Sequence, residues 1–359
     1  YNPTQPNPTY SPFTTLQIPY LHLKHTQHIM KLLRIDKEPT YQCALQEMST
    51  ADFFEQLSLD GDVVVQVDYS TVNYKDGLAI TGKSPVVRKP SLVPGIDLAG
   101  KVVSSASTKF KAGDEVLLNG WGVGETHSGG LAQMARVHSN WLQLRPTAIS
   151  AKQSMAIGTA GYTAMLCVQA LQRGGVEPGS GEILVTGATG GVGSIATLLL
   201  SDMGYNVVAA TGKASEHGYL KSLGAQEVLD RCLLNEPGKA LQKERWAGVV
   251  DALGSHTLVN ACASIRYGGI VAACGLAQGL DFPASVAPFI LRGITLCGID
   301  SVKAPMAKRE SAWLALAQHL NLDKLDSLTT EVGLADAPQV GVDLMAGNIT
   351  GRVVVDVNA

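Results

Sequence analysis

The stretch Ile183-Leu-Val-Thr-Gly-Ala-Thr-Gly-Gly-Val-Gly-Ser-Ile-Ala196 decides the fold of this chain. Its apolar start, Ile183 to Val185, reads as a buried strand. Glycines follow at 187, 190, 191 and 193, and Ser194 to Leu200 reads as a helix. Glycines let the backbone turn sharply and approach a pyrophosphate. The helix N-terminus then offers free N–H groups and a positive dipole end to that anion. The pattern predicts a dinucleotide-binding turn, and so a redox enzyme. A Gly-rich turn alone fits any tight strand–helix junction; repeated strand–helix units downstream favour the functional reading.

The next strand indicates which cofactor. A turn that prefers NAD is followed, about 20 residues on, by Asp or Glu at the end of the second strand. Here that strand, Asn206-Val-Val-Ala-Ala210, runs into Thr211-Gly212-Lys213-Ala214-Ser215, and the first carboxylate is Glu216. A hydroxyl, a flexible backbone and a cation suit a ribose 2′-phosphate, so NADPH is the expected cofactor. A solvated surface lysine is the plainer reading of Lys213.

Outward from this point the chain reads as α/β, with a Rossmann doubly wound parallel sheet and a β-rich, GroES-like unit. Strands are expected at Ile183–Val185, Val207–Ala210, Glu227–Leu229, Gly248–Asp251, Ile270–Cys274 and Ile294–Cys297, with crossover helices between them. Before them, short β-branched runs alternate with Gly, Pro and Asp turns: Val63 to Val67, Gly100 to Ser104, Glu115 to Leu118 and Ala135 to Val137. The expected organisation is a leader at 1–29, a catalytic unit at 30–157, a Rossmann unit at 158–303, and a return to the catalytic unit at 304–359.

Residues 1–29 differ from the rest. Prolines fall at 3, 6, 8, 12 and 19, and Lys24 is the only charge besides His22, His25 and His28. No basic segment precedes an apolar core, so this is not a secretory signal; a disordered tail is expected, and the histidines are read as part of it. A mis-set start codon or an expression leader would account for the break before Met30.

The chain has 359 residues, 45% hydrophobic and 16% charged, with net charge −3. That suits about two domains and gives no basic surface for nucleic acid. No apolar run is expected to span a bilayer. The six cysteines are scattered without a Cys-x-x-Cys pair, which suits a reduced cytoplasmic protein.

Asn73-Tyr-Lys-Asp76, Pro94-Gly-Ile-Asp-Leu-Ala-Gly100, Gly120-Trp-Gly-Val-Gly-Glu125, Gly158-Thr-Ala-Gly-Tyr-Thr-Ala164, Gly298-Ile-Asp-Ser-Val302 and Gly351-Arg-Val-Val354 carry a resemblance when taken together with the Gly-rich turn. In that order they resemble the zinc-free medium-chain dehydrogenase/reductases, in the YhdH/YhfP quinone oxidoreductase branch that includes the AcuI-type acrylyl-CoA reductases. The resemblance runs from Met30 to the C-terminus. It implies a GroES-like catalytic domain, a Rossmann domain, NADPH and a homodimer.

Residue by residue, it implies that Thr189, Gly190, Gly191 and Val192 hold the pyrophosphate. Thr211, Gly212 and Lys213 match the 2′-phosphate site, where close relatives have Ser-Gly-Arg. Arg352 matches an arginine that reaches back to the cofactor; otherwise it is a surface arginine. Tyr74 faces the nicotinamide in the resemblance. It is read either as a proton donor or as a packing aromatic, with Asn73 and Asp76 orienting it or the carboxamide. Lys75 is read as a contact for substrate phosphates or as a solvated lysine.

No metal is expected. Where zinc relatives have Gly-His-Glu, this chain has Gly95-Ile96-Asp97, and the zinc relatives' catalytic Cys is replaced by Asn73 or Tyr74. Ile cannot ligate, and tetrahedral zinc needs N and S donors. Asp97, His127 and His138 are read as a turn residue and two surface histidines.

Chemistry without a metal suits hydride transfer to a C=C conjugated to a carbonyl, with donors near the developing enolate oxygen. The expected substrate is a small molecule: a short enoyl-CoA such as acryloyl-CoA, or else a quinone or general enone. A non-enzymatic NADPH-binding protein is the remaining alternative.

Overall fold

The computed structural model describes residues 28–58 and 60–359. The leader expected at 1–29, with His22 and His25, therefore falls almost entirely outside the described residues. The first strand is Ile29–Asp36, opening one residue before Met30. The His28 carbonyl accepts from both the amide and the hydroxyl of Thr50.

All six strands expected of the Rossmann unit form, in one parallel sheet. Its order is Glu227–Asp230, Asn206–Thr211, Glu182–Val185, Trp246–Asp251, Ile265–Ala273 and Thr295–Gly298. The chain starts in the middle and reverses direction there, so the crevice at the strands' carboxyl ends lies beside the glycine turn. Trp246–Asp251 is buried at every position because helices cover both faces.

The β-rich unit is antiparallel apart from one pair. Val63–Thr71 pairs with Asp97–Ser105 and with Met134–Val137, and the C-terminal strand Arg352–Asp356 joins its other end. Thr329–Gly333 lies parallel to Arg352–Asp356, at the edge. Helix Ala337–Met345 packs on helix Tyr74–Thr81. The helix Met306–His319 goes elsewhere: its Trp313 and Leu316 enter the core built around Ala151–Arg173.

That helix, Ala151–Arg173, ties the two sheets together. Ser150 and Gln153 cap its start reciprocally, each backbone amide donating to the other's side chain. Its core also takes in Ala99 and Leu117 from the β-rich unit and Ile183, Val185 and Val250 from the parallel sheet. By length and composition it is apolar enough to cross a membrane, which corrects the expectation that no such segment exists; 89% of its apolar window is buried inside the fold. The apolar run packs against residues of both sheets within one continuous core, which is why it lacks a polar face.

Candidate active site

The glycine turn forms the first wall of the site. The helix begins at Gly191, capped by Gly190, so Gly191 and Gly193 lie in its first turn rather than ahead of it. The first helical amides have no intrahelical partner and point out of the turn. A Cβ at Gly193 would lie 2.3 Å from the Gly187 carbonyl oxygen and 2.6 Å from Ala188 Cα. Only a glycine lets the helix sit that close to the strand end. This is a cradle with its anion-binding end free, and it fits a dinucleotide.

The second strand brings the next predicted group alongside. Thr211 Oγ1 is 3.4 Å from Thr189 Oγ1 and accepts from the Lys213 amide at 3.1 Å. The Lys213 ammonium donates to Ile349 O at 3.0 Å and to Thr350 Oγ1 at 3.4 Å. Lys213 is thus engaged with the segment leading into Arg352. The register sets Asp230 opposite Thr211, but its carboxylate accepts the Cys232 amide. Gly351 donates its amide to Thr189 O at 3.3 Å, seating the C-terminal segment on the turn.

Arg352 is 3% exposed and is not a surface arginine. Its Nε donates to Ala156 O at 2.7 Å, and Nη2 donates to Thr71 Oγ1 at 3.0 Å and Asn73 Oδ1 at 3.2 Å. A Cβ on Gly191 would come within 2.8 Å of Nη1. The guanidinium therefore lies between the glycine turn and the residue that opens the Tyr74 helix.

Asn73 passes the connection on. Its Nδ2 donates to Asp97 Oδ2 at 2.8 Å and to Asp76 Oδ2 at 3.2 Å, and its amide donates to Asp76 Oδ2 at 2.8 Å. Asp76 Oδ1 takes the Ile96 amide at 2.9 Å. Burial pushes the Asp76 carboxyl up to about 7, against the pull of these donors. Charge gives the same direction, because the Asp97 carboxyl lies close to Asp76 in the same buried cluster.

Asp97 corrects the sequence reading. It is a fully buried hub at the start of a strand, not a turn residue. Besides Asn73 it accepts from Asn119 Nδ2 at 2.8 Å, Thr159 Oγ1 at 2.6 Å and the Thr159 amide at 2.7 Å. The Thr159 amide reaches it because the long helix is broken at Gly158, at φ 51°. A Cβ there would meet Asp97 Oδ2 at 2.8 Å. Asn119 is held in turn by Trp313 Nε1 at 3.2 Å and Arg309 Nη1 at 2.6 Å. Asn119, Thr159, Arg309 and Trp313 were not singled out from the sequence. Polar residues inside apolar segments were the available signal.

Tyr74 is the first residue of helix Tyr74–Thr81 and is 48% exposed. Its neighbours Asn73 and Asp76 are locked below it. Lys75 is ion-paired with Glu125 at 2.8 Å, which is neither a free solvated lysine nor an open phosphate contact. A cleft lined by Cys274, Gly275, Leu276, Ile299 and Asp300 opens at the carboxyl ends of the last two parallel strands.

No group of three or more His, Cys, Asp or Glu suited to a metal occurs among the described residues. His127 and His138 lie 3.6 and 3.9 Å from the Asp60 carboxylate, with their rings edge-on to Trp141. Asp97 is taken up by its own donors. The arrangement offers oriented N–H groups and a buried cation, and no Lewis-acid donor set.

Comparison with known proteins agrees with this geometry. The alcohol dehydrogenase GroES-like domain family matches residues 59–147, and the zinc-binding dehydrogenase family matches residues 191–317. The chain is 49% identical to the acrylyl-CoA reductase AcuI of Ruegeria pomeroyi over 89% of its own length and 95% of that protein. The yhdH oxidoreductase of Salmonella enterica, solved with NADP, superposes with a TM-score of 0.88 at 46% identity, covering 91% of this chain and all but 1% of that one. Bacillus subtilis yhfP, solved with NAD bound, gives 0.87 at 42% identity, over 92% of this chain and 100% of that one.

Proposed function

The chain belongs to the medium-chain dehydrogenase/reductase family, in the branch of AcuI, YhdH and YhfP, and from that premise we propose that it is an NADPH-dependent reductase of activated C=C bonds. A short enoyl-CoA such as acryloyl-CoA is the favoured substrate. The observation that carries this reading is the hydrogen-bonded Arg352–Asn73–Asp97–Asp76 cluster, which anchors the Tyr74 helix beside the glycine turn, where Gly351 donates to Thr189 O. Such a site can position a cofactor and stabilise a developing oxyanion, and its two carboxylates have no His or Cys beside them in the cluster.

When bound, NADPH supplies a hydride. Thr189, Gly190, Gly191 and Val192 would hold its pyrophosphate, and Thr211, Gly212 and Lys213 the 2′-phosphate end. Tyr74 and Arg352 complete the nicotinamide end, with Arg352 acting from behind through Asn73. Half exposed and without a side-chain hydrogen bond among the described residues, Tyr74 is better placed to pack on a ring than to deliver a proton along a fixed path. Solvent at the cleft then protonates the α-carbon.

A quinone or general enone reductase with the same machinery is the second reading, favoured by 45% identity to the putative quinone oxidoreductase YhfP of Bacillus subtilis. NADPH loss measured side by side with acryloyl-CoA, a 1,4-quinone and a simple enone separates the two. Fastest turnover of acryloyl-CoA is expected, and turnover of the quinone alone reverses the ranking.

The division into a catalytic unit at 30–157 and 304–359 and a Rossmann unit at 158–303 belongs to the same reading, as does a reduced cytoplasmic setting for the free cysteines. So does the homodimer. The strand Thr295–Gly298 is a sheet edge, and Leu280, Val286, Ile290 and Leu291 nearby are exposed. An unpaired edge beside apolar side chains calls for a partner. Sedimentation equilibrium of the full chain should show a dimer, and a monomer contradicts this part.

A further inference from the structure

Three cysteines from three different elements meet on one face of the parallel sheet. Cys167 lies on helix Ala151–Arg173, Cys274 directly follows strand Ile265–Ala273, and Cys297 lies on strand Thr295–Gly298. The register sets Cys297 beside Ala272. Cys297 and Cys274, two residues beyond Ala272, therefore point the same way, into the core that holds Cys167. Cys167 is fully buried, and its side chain is hydrogen-bonded to Cys274; that contact and burial hold its thiol well above the ordinary range. Cys274 is half-buried and lines the cleft with Gly275, Leu276, Ile299 and Asp300. Its Sγ donates to Asp251 O at 3.2 Å, and its amide donates to the same oxygen at 2.8 Å. The pair of sulfurs thus runs from the cleft wall into the core. Nothing in the hydride chemistry above uses either thiol.

We propose that Cys274 is a site of reversible oxidation by hydroperoxides, that Cys167 resolves it into an intrachain disulfide, and that the disulfide slows turnover. Oxidation needs an accessible sulfur, and of the three cysteines it is Cys274 that lines the cleft. Its sulfur attacks the peroxide O–O bond and becomes a sulfenic acid. The peroxide gains two electrons and leaves as alcohol or water, taking the thiol proton. The Cys167 sulfur then attacks the Cys274 sulfur. The disulfide forms, and the sulfenic hydroxyl leaves as water with the Cys167 proton. Burial keeps Cys167 away from the oxidant but in contact with the one sulfur it has to reach. Covalent contact draws Cys274 off Asp251 O. The backbone there has little room, since a Cβ on Gly275 would lie 2.4 Å from Ala252 O. The cleft wall at 274–276 shifts as a result. The effect on turnover rests on the reductase reading above; the modification does not.

The test treats the reduced full chain with hydrogen peroxide, alkylates the remaining thiols, digests without reductant and maps the peptides by mass spectrometry. A Cys167–Cys274 linked peptide is expected. Turnover should fall about tenfold or more, as for a displacement on the order of 1 Å at a reacting site, and return with dithiothreitol. In Cys167→Ala no linked peptide should form, and dimedone should label Cys274 as the sulfenic acid. Oxidation that spares Cys274, a bond from Cys274 to Cys297 or to a second chain, or a Cys167–Cys274 bond with full turnover overturns the proposal. A reduced wild type that turns over none of acryloyl-CoA, a 1,4-quinone and a simple enone, yet forms the linked peptide, overturns the reductase reading instead.

Discussion

Replacing Asp97 with alanine is expected to destabilise the protein by about 3–5 kcal/mol, the range for removing one member of a buried charged network. The carboxylate is fully buried and accepts from Asn73, Asn119 and Thr159, the last of these twice. Its removal leaves those donors unpaired and leaves the Arg352 guanidinium with Asp76 as its remaining buried counter-charge. It also frees Asn73, so the Tyr74 helix loses the anchor that fixes its start. Urea unfolding of the variant reads the stability directly. Should Asp97→Ala not fold, Asp97→Asn keeps the shape, and its kcat should still fall because an amide N–H then faces one of the existing donors. Stability within about 1 kcal/mol of wild type for Asp97→Ala would mean the hub is not what holds the site together.

The second large effect is expected at Tyr74. Tyr74→Ala should raise the Kd for NADPH by about 10–100-fold, matching the roughly 1–3 kcal/mol for aromatic stacking against a planar ring system. Tyr74→Phe keeps the ring, so NADPH affinity should hold and kcat should fall by less than tenfold. General acid catalysis would predict otherwise, since a positioned acid contributes about 10²–10⁴-fold. A Phe variant slowed by that amount with unchanged NADPH binding would make Tyr74 the proton donor. Fluorescence titration and initial rates on the same preparations decide between these outcomes.

The architecture was legible because it rests on local signals. The glycine turn, the β-branched strands and the unbroken apolar runs of a parallel sheet each leave a pattern in a few consecutive residues, and all six strands formed where expected. The same local pattern brings Thr189, Thr211 and Lys213 to one corner of the structure. Asp97 was not, because a buried carboxylate and a turn aspartate look alike until the donors around it are known. Those donors arrive from positions 73, 119 and 159. The apolar length of Ala151–Arg173 was not legible because small and polar residues such as Gly158, Thr159, Gly161 and Thr163 interrupt its run in the sequence, although most of the run is buried in one core.

The central claim is that this chain reduces an activated C=C bond with NADPH and without metal. Chelator-treated enzyme, NADPH deuterated at its transferable position and acryloyl-CoA provide the most direct measurement, read by mass spectrometry of the acyl product. The account predicts propionyl-CoA carrying one deuterium at the β-carbon, formed at the rate of untreated enzyme. Loss of turnover on chelation that returns with zinc, or propionyl-CoA without the label, would contradict it.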